Sequence, residues 1–163
     1  MEPAEIVVTA LRVWLGIVVL AHGVNHARSQ EGTAKWFARI GFKRPAMNAR
    51  ASALGELAIG AALILGLATP LAAAGVVTIV TVAFWSVHRF AGFFVFARPD
   101  EGWEYVATLA VGALTLATLG PGTWSVDAAL GWDRFDGWTG LGIAALGFVA
   151  AALQLAALWR RPS

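Results

Sequence analysis

The sequence predicts an all-α protein, a multi-pass bundle of transmembrane helices. Of its 163 residues 58% are hydrophobic and 13% charged, and the mean hydropathy of +0.68 leaves too few polar groups to cover a soluble globule. Five long apolar runs fill most of the chain, and the basic residues between them fall in alternate gaps. The runs lack the period-two alternation of membrane strands. Hydrocarbon also offers no partner for the backbone of an open sheet, so helices are the predicted form.

The expected spans are Ile6 to Ala27, Ala51 to Leu67, Leu71 to Phe90, Trp103 to Leu119 and Trp138 to Trp159. Each is close to the ~20 residues that cross ~30 Å of hydrocarbon. The first span reads as permanent and not as a cleaved signal, because Met1-Glu2-Pro3-Ala4-Glu5 before it is acidic where a signal peptide is basic. Between the second and third spans only Ala68-Thr69-Pro70 remains, a tight turn with proline at its edge. Small residues on the second span, Ala51, Gly55, Ala58, Ala62 and Gly66, predict a face where backbones approach closely. With connections this short, consecutive helices are expected to pack antiparallel in one transmembrane domain over 1–163.

Basic residues set the expected orientation. Arg28, Lys35, Arg39, Lys43, Arg44 and Arg50 follow the first span, Arg89 and Arg98 the third, and Arg160 and Arg161 the fifth; on the opposite side stands Arg134. The positive-inside rule therefore predicts the N-terminus outside and the C-terminus in the cytoplasm of a bacterial plasma membrane. The net charge of +2 points to anionic headgroups at these loops and away from nucleic acid. With no cysteine the chain itself forms neither a disulfide nor a thiolate-ligated cluster. A redox role would need a bound cofactor or a partner.

Ionisable residues within or at the ends of spans carry the candidate chemistry, since a charge in hydrocarbon is costly and faces a partner or a cavity. Antiparallel geometry brings the ends bearing His22, Asn25 and His26, then Glu56, His88 and Glu104, to one membrane face, so a polar layer is expected there. His22 and His26 are four residues apart, a helical spacing that can ligate a metal if carboxylates complete the shell. His22 with His88 is a candidate axial pair for haem. Arg12 lies roughly 15 Å along the helix from His22; it either reaches the outer interface or faces inward, where Asp127 is a candidate partner.

The loops add three expectations. Ala34 to Ile40 reads as a short basic amphipathic helix on the headgroups. Arg89 to Phe96 carries four phenylalanines beside His88, fit either for an aromatic belt or to roof an apolar pocket. Trp132 to Trp138 reads as an interfacial loop between two tryptophan anchors.

Over roughly residues 10 to 130 the chain resembles the DoxX family of small bacterial membrane proteins. The resemblance rests on Arg12 with Gly16, His22-Gly23, Trp36-Phe37 with Gly41, Gly55-Glu56 with Gly60, and Leu65 to Pro70. It continues through His88, Gly92-Phe93-Phe94, Gly102 with Glu104, and the motif of Gly120, Pro121, Gly122, Ser125 and Asp127. It implies a four-helix membrane core, about 6 to 130, with 138 to 159 as an additional fifth helix. It also implies a link to thiosulfate:quinone oxidoreduction, where the family takes its name. His26 stands where the family often has a lysine. Three functional classes follow: a redox-associated, quinone-linked membrane subunit; a non-catalytic assembly or scaffold subunit; and a small-solute permease, for which no broken helix or inverted repeat is visible.

Overall fold

The computed structural model describes residues 2–96 and 101–162. Those residues form seven α-helices: α1 (Pro3–Arg28), α2 (Gln30–Arg39), α3 (Pro45–Leu65), α4 (Thr69–Ser86), α5 (Glu104–Leu119), α6 (Val126–Leu130) and α7 (Gly137–Leu158). Helices α1, α3, α4 and α7 are long and apolar enough to cross a membrane; α5 is apolar but only 16 residues long. The protein is a multi-pass membrane helical bundle. All five expected spans are helices, with shifted ends. The third stops at Ser86, where Val87 leaves helical geometry (φ −131°, ψ −68°), and a 3-10 turn over His88–Phe90 replaces its last residues. The second begins earlier than its apolar run, because Pro45 sits in the first helical turn, where its missing N–H costs nothing. Of the basic residues used to orient the chain, Arg98 lies outside the described residues.

Helix α1 packs on α3, and α4 packs on both α5 and α7. The α1–α3 crossing depends on glycine. A Cβ on Gly60 would stand 2.6 Å from the Leu20 nitrogen and 2.8 Å from the Gly16 carbonyl, and one on Gly23 would stand 2.7 Å from the Leu57 nitrogen. The α3 face in contact is thus that of Ala53, Glu56, Gly60 and Leu63, all buried. Of the small residues expected to pack, Ala62 lies against the main core and Gly66 is buried against Ser125 and Arg12, whereas Ala51 and Ala58 are exposed and Gly55 opens onto empty space. Because α3 is apolar nearly all round, its small residues alone do not reveal which face meets a neighbour.

The main core gathers Leu15, Val19, Leu63, Val76, Val77, Val80, Ala113, Leu116 and Ala144 from α1, α3, α4, α5 and α7. Helix α7 therefore contributes to the same core as the other spans. Gly140 lies against the Ala117 carbonyl, and Gly147 lies against that of Ala74. A second cluster, Phe37, Phe42, Ala49, Val82, Ala151 and Trp159, closes one end of the bundle. There the chain after α7 runs antiparallel to the α2–α3 connection: Lys43 N–H donates to Leu158 O (2.7 Å), Arg160 N–H to Gly41 O (2.9 Å), and Trp159 Nε1 to Ile40 O (2.7 Å). These bonds put the end of α7 level with α2, as five alternating passes require.

Candidate functional site

At the α2 end of the bundle, α1 and α3 bring His26 against Glu56. Glu56 is 2% exposed. Its Oε1 accepts a hydrogen bond from Ser52 Oγ at 2.6 Å, one helical turn earlier on α3, and its Oε2 lies 3.0 Å from His26 Nδ1. The same His26 nitrogen is 3.2 Å from Ser52 Oγ. Such an approach requires a proton on either Nδ1 or the carboxyl group, since two lone pairs facing each other would repel. His26, Ser52 and Glu56 therefore form a polar cluster where α1 crosses α3.

The far side of His26 faces a polar groove of about 330 Å3 between α1 and α2, lined by Asn25, His26, Ser29, Gly32, Thr33 and Trp36. The Trp36 indole stacks over the imidazole, with centroids 6.5 Å apart and planes tilted by 28°. Helix α2 is held in place by Gln30 Nε2, which donates to the His26 carbonyl at 2.9 Å. It begins four residues before the expected amphipathic helix and ends one residue short of it. Its Phe37 is buried in the second core cluster, while Lys35 and Glu31 pair on the exposed side at 2.6 Å.

The other residues of the expected polar layer lie at the same end but make separate contacts. His22 Nε2 meets the hydroxyl of Tyr105, the sole tyrosine, at 3.1 Å on the α5 side of α1. His88 Nδ1 lies 2.6 Å from the Glu101 carbonyl oxygen. Glu104 Oε1 accepts the Val95 N–H at 2.8 Å, which fastens the loop between α4 and α5. Phe93 in that loop stands edge-on to Trp103 at 4.7 Å, and Phe93, Phe94 and Phe96 all remain exposed. Among the described residues no group of three His, Asp or Glu side chains is placed to hold a metal ion. His22 and His26 diverge, one toward α5 and the other toward α3.

Ser52, Tyr105, Ser29 and Thr33 were not singled out from the sequence. Ser52 had a usable signal, standing four residues before Glu56 on one helix face. The partnership of Tyr105 with His22 had none.

Arg12 is 1% exposed and lies at the opposite end of the bundle. Its Nη1 donates to the carbonyls of Leu63 (2.7 Å) and Ile64 (2.8 Å), its Nε to Pro121 O (2.9 Å) and its Nη2 to Trp124 O (2.6 Å). It faces inward, and its hydrogen-bond partners are backbone. The buried Asp127 accepts the N–H groups of Ala68 (2.6 Å) and Thr69 (2.8 Å). The Gly120-Pro121-Gly122 motif presents the Pro121 carbonyl to Arg12. Ser125 Oγ donates to Gly122 O (2.7 Å) and accepts from Ala128 N–H (3.1 Å), capping α6. This half of the expected site residues holds the fold together.

The fold and this distribution of polar groups define a small multi-pass membrane protein with one buried His–Glu cluster open to a groove. The chain belongs to the DoxX family, whose model matches residues 7–89. The match takes in α1 to α4 with Arg12, His22, His26, Glu56 and His88; the signatures from Gly92 to Asp127 lie beyond it. No curated protein matches the chain, and no solved structure does.

Proposed function

We propose that this protein is a redox-associated membrane subunit of a bacterial plasma membrane that binds the head of a lipophilic quinone in the groove beside His26, its N-terminus outside and its C-terminus cytoplasmic. The observation that carries the reading is the approach of the part-exposed His26 to the buried Glu56 carboxylate, 3.0 Å apart, beside a polar groove that His26 also lines. At about 330 Å3 the groove is at the small end of ligand sites, suited to a single ring. Asn25, Ser29 and Thr33 supply hydrogen-bonding groups for carbonyl oxygens, and Trp36 supplies a flat apolar wall. A quinone, when bound, supplies two-electron, two-proton redox chemistry. The residues of this chain orient the ring, and His26 Nδ1 and the Glu56 carboxyl group are the sites where a proton is held or released. Electrons come from a partner or a further bound cofactor, since the chain has no cysteine to relay them.

The test is to extract and quantify quinone from protein purified in mild detergent. Near-stoichiometric quinone is expected in the wild type, falling at least severalfold in His26→Gln and Trp36→Leu variants that keep the same elution volume and melting temperature. Quinone no higher than the lipid background in the wild type would sink the reading. A second reading, an assembly or scaffold subunit, is favoured by Arg12 and Asp127, whose hydrogen bonds all go to the protein's own backbone. That reading predicts a co-purifying partner chain and no quinone.

A further inference from the structure

At the end of the bundle where α4 and α7 terminate, two arginines converge on one aromatic ring. The guanidinium carbon of Arg89 lies 4.5 Å from the Phe90 ring centroid and that of Arg161 lies 4.7 Å from it. Arg89 also sits 4.0 Å over the Trp85 ring and 5.9 Å from that of Trp159. Rings on several sides hold the Arg89 head in place by cation–π attraction while satisfying none of its N–H donors. Its Nε is buried and makes no hydrogen bond, and among the described residues no carboxylate stands within ion-pair distance of either arginine. Neighbouring Arg160 is different: its Nη1 donates to the carbonyls of Ala156 (3.0 Å) and Trp159 (2.7 Å). Two like charges thus share one ring, with a buried donor of Arg89 unsatisfied and no counter-charge among the described residues.

We infer that Arg89 and Arg161 form a headgroup site for an anionic glycerophospholipid, its phosphate bridging the two guanidinium groups beside Phe90. A guanidinium presents a planar fork of donors that matches phosphate oxygens. The surroundings commit the occupant to lipid. The site lies where two apolar helices end, Trp85 and Phe90 keep nearly half their surface exposed, and Leu153 on α7 is exposed about one and a half turns before its helix ends. Interfacial tryptophan over a cation at the end of a span is the environment of a headgroup, with apolar helix surface beyond it for the acyl chains. The inference is independent of the quinone groove, which lies between α1 and α2 and shares none of these residues.

Native mass spectrometry on the full-length protein in detergent, with equimolar phosphatidylglycerol and phosphatidylcholine added, tests it. The wild type is expected to retain phosphatidylglycerol in preference, and each arginine removed should weaken that preference about fivefold. Arg161→Gln alters an exposed side chain, so it should fold normally and lose part of the preference; R89Q/R161Q should lose nearly all of it. Lys35→Gln on α2 should change nothing. Equal retention of the two lipids by the wild type, an unchanged preference in Arg161→Gln, or displacement of the lipid by millimolar inorganic phosphate would each overturn the assignment.

Discussion

Arg12 and Asp127 hold the two sides of the same turn. Arg12 takes the carbonyls of Leu63 and Ile64 in the last turn of α3, and Asp127 takes the N–H groups of Ala68 and Thr69 at the start of α4. A cation thus sits at a helix C-terminus and an anion at the next helix N-terminus, each matching the local end of the helix dipole. Between them the chain turns through two left-handed residues, Gly66 (φ 68°) and Ala68 (φ 49°). Alanine there is strained, and the bond from its N–H to Asp127 Oδ1 holds it in place. Arg12 reaches further, to Pro121 and Trp124, so one side chain joins α1, α3 and the α5–α6 connection.

Replacing Arg12 is therefore expected to prevent folding. Arg12→Met removes four hydrogen bonds from a charged donor, each worth about 1.5–3 kcal/mol, against a total stability of about 5–15 kcal/mol. Arg12→Lys should fare little better, since one ammonium cannot reach four carbonyls spread over two segments. Asp127→Asn keeps one acceptor but turns an amide N–H2 toward a backbone N–H, so a partial loss is expected. Fluorescence-detected size-exclusion of detergent extracts measures all three; a monodisperse Arg12→Met peak at wild-type yield would refute the keystone role.

The α1–α3 crossing makes a sharper contrast within one helix. Gly60→Ala puts a methyl group 2.6 Å from the Leu20 nitrogen and 2.8 Å from the Gly16 carbonyl. Both are backbone atoms that cannot move aside, so the helices must separate, at a cost of about 1–3 kcal/mol. Gly55→Ala, five residues earlier, meets nothing within 4 Å and should be neutral or stabilising by up to about 1 kcal/mol through helix propensity. In one detergent the melting temperature of Gly60→Ala should fall, while that of Gly55→Ala should hold or rise.

These glycines also show what the sequence could and could not reveal. Span positions were legible because hydropathy and length suffice to mark a crossing. The packing face of α3 was not, because Gly55 and Gly60 look alike in a helix that is apolar all round. The shared level of His26 and Glu56 followed from alternation of direction alone. Which polar groups would pair did not, because it depends on the rotation of each helix: His22 turns to Tyr105, and the α4–α5 loop takes His88 and Glu104 for its own closure. Arg12 was recognisable as a costly intramembrane charge, but backbone carbonyls as its partners leave no trace in a sequence.

At the start of α7, Asp136 caps the helix, accepting the N–H of Thr139 at 2.9 Å on Oδ1 and its hydroxyl at 3.0 Å on Oδ2. The Thr139 backbone bond, then its side-chain bond, hold the carboxyl group below the usual aspartate range. A carboxyl group with a lowered folded-state pKa stabilises above its unfolded value of about 4 and loses that contribution as pH falls through the lowered one. Asp136→Ala should therefore melt below the wild type at neutral pH, with the gap closing as the pH drops below about 4. A gap that stays constant into acid would mean that the charge is not what stabilises the cap.

The proposed orientation is open to a direct test, because the chain has no cysteine and any introduced thiol reports alone. Asp133→Cys lies in the α6–α7 connection and Lys35→Cys on α2, at opposite ends of the bundle, and both native side chains are exposed. Neither change disturbs a buried contact, although Lys35→Cys gives up an exposed pair with Glu31 worth about 0.3–0.5 kcal/mol. With the basic loops inside, a membrane-impermeant maleimide added to intact cells should label Asp133→Cys fully and Lys35→Cys only after permeabilisation. The reverse pattern would place the His26 groove and the two arginines on the outer face, and the proposed orientation would be overturned.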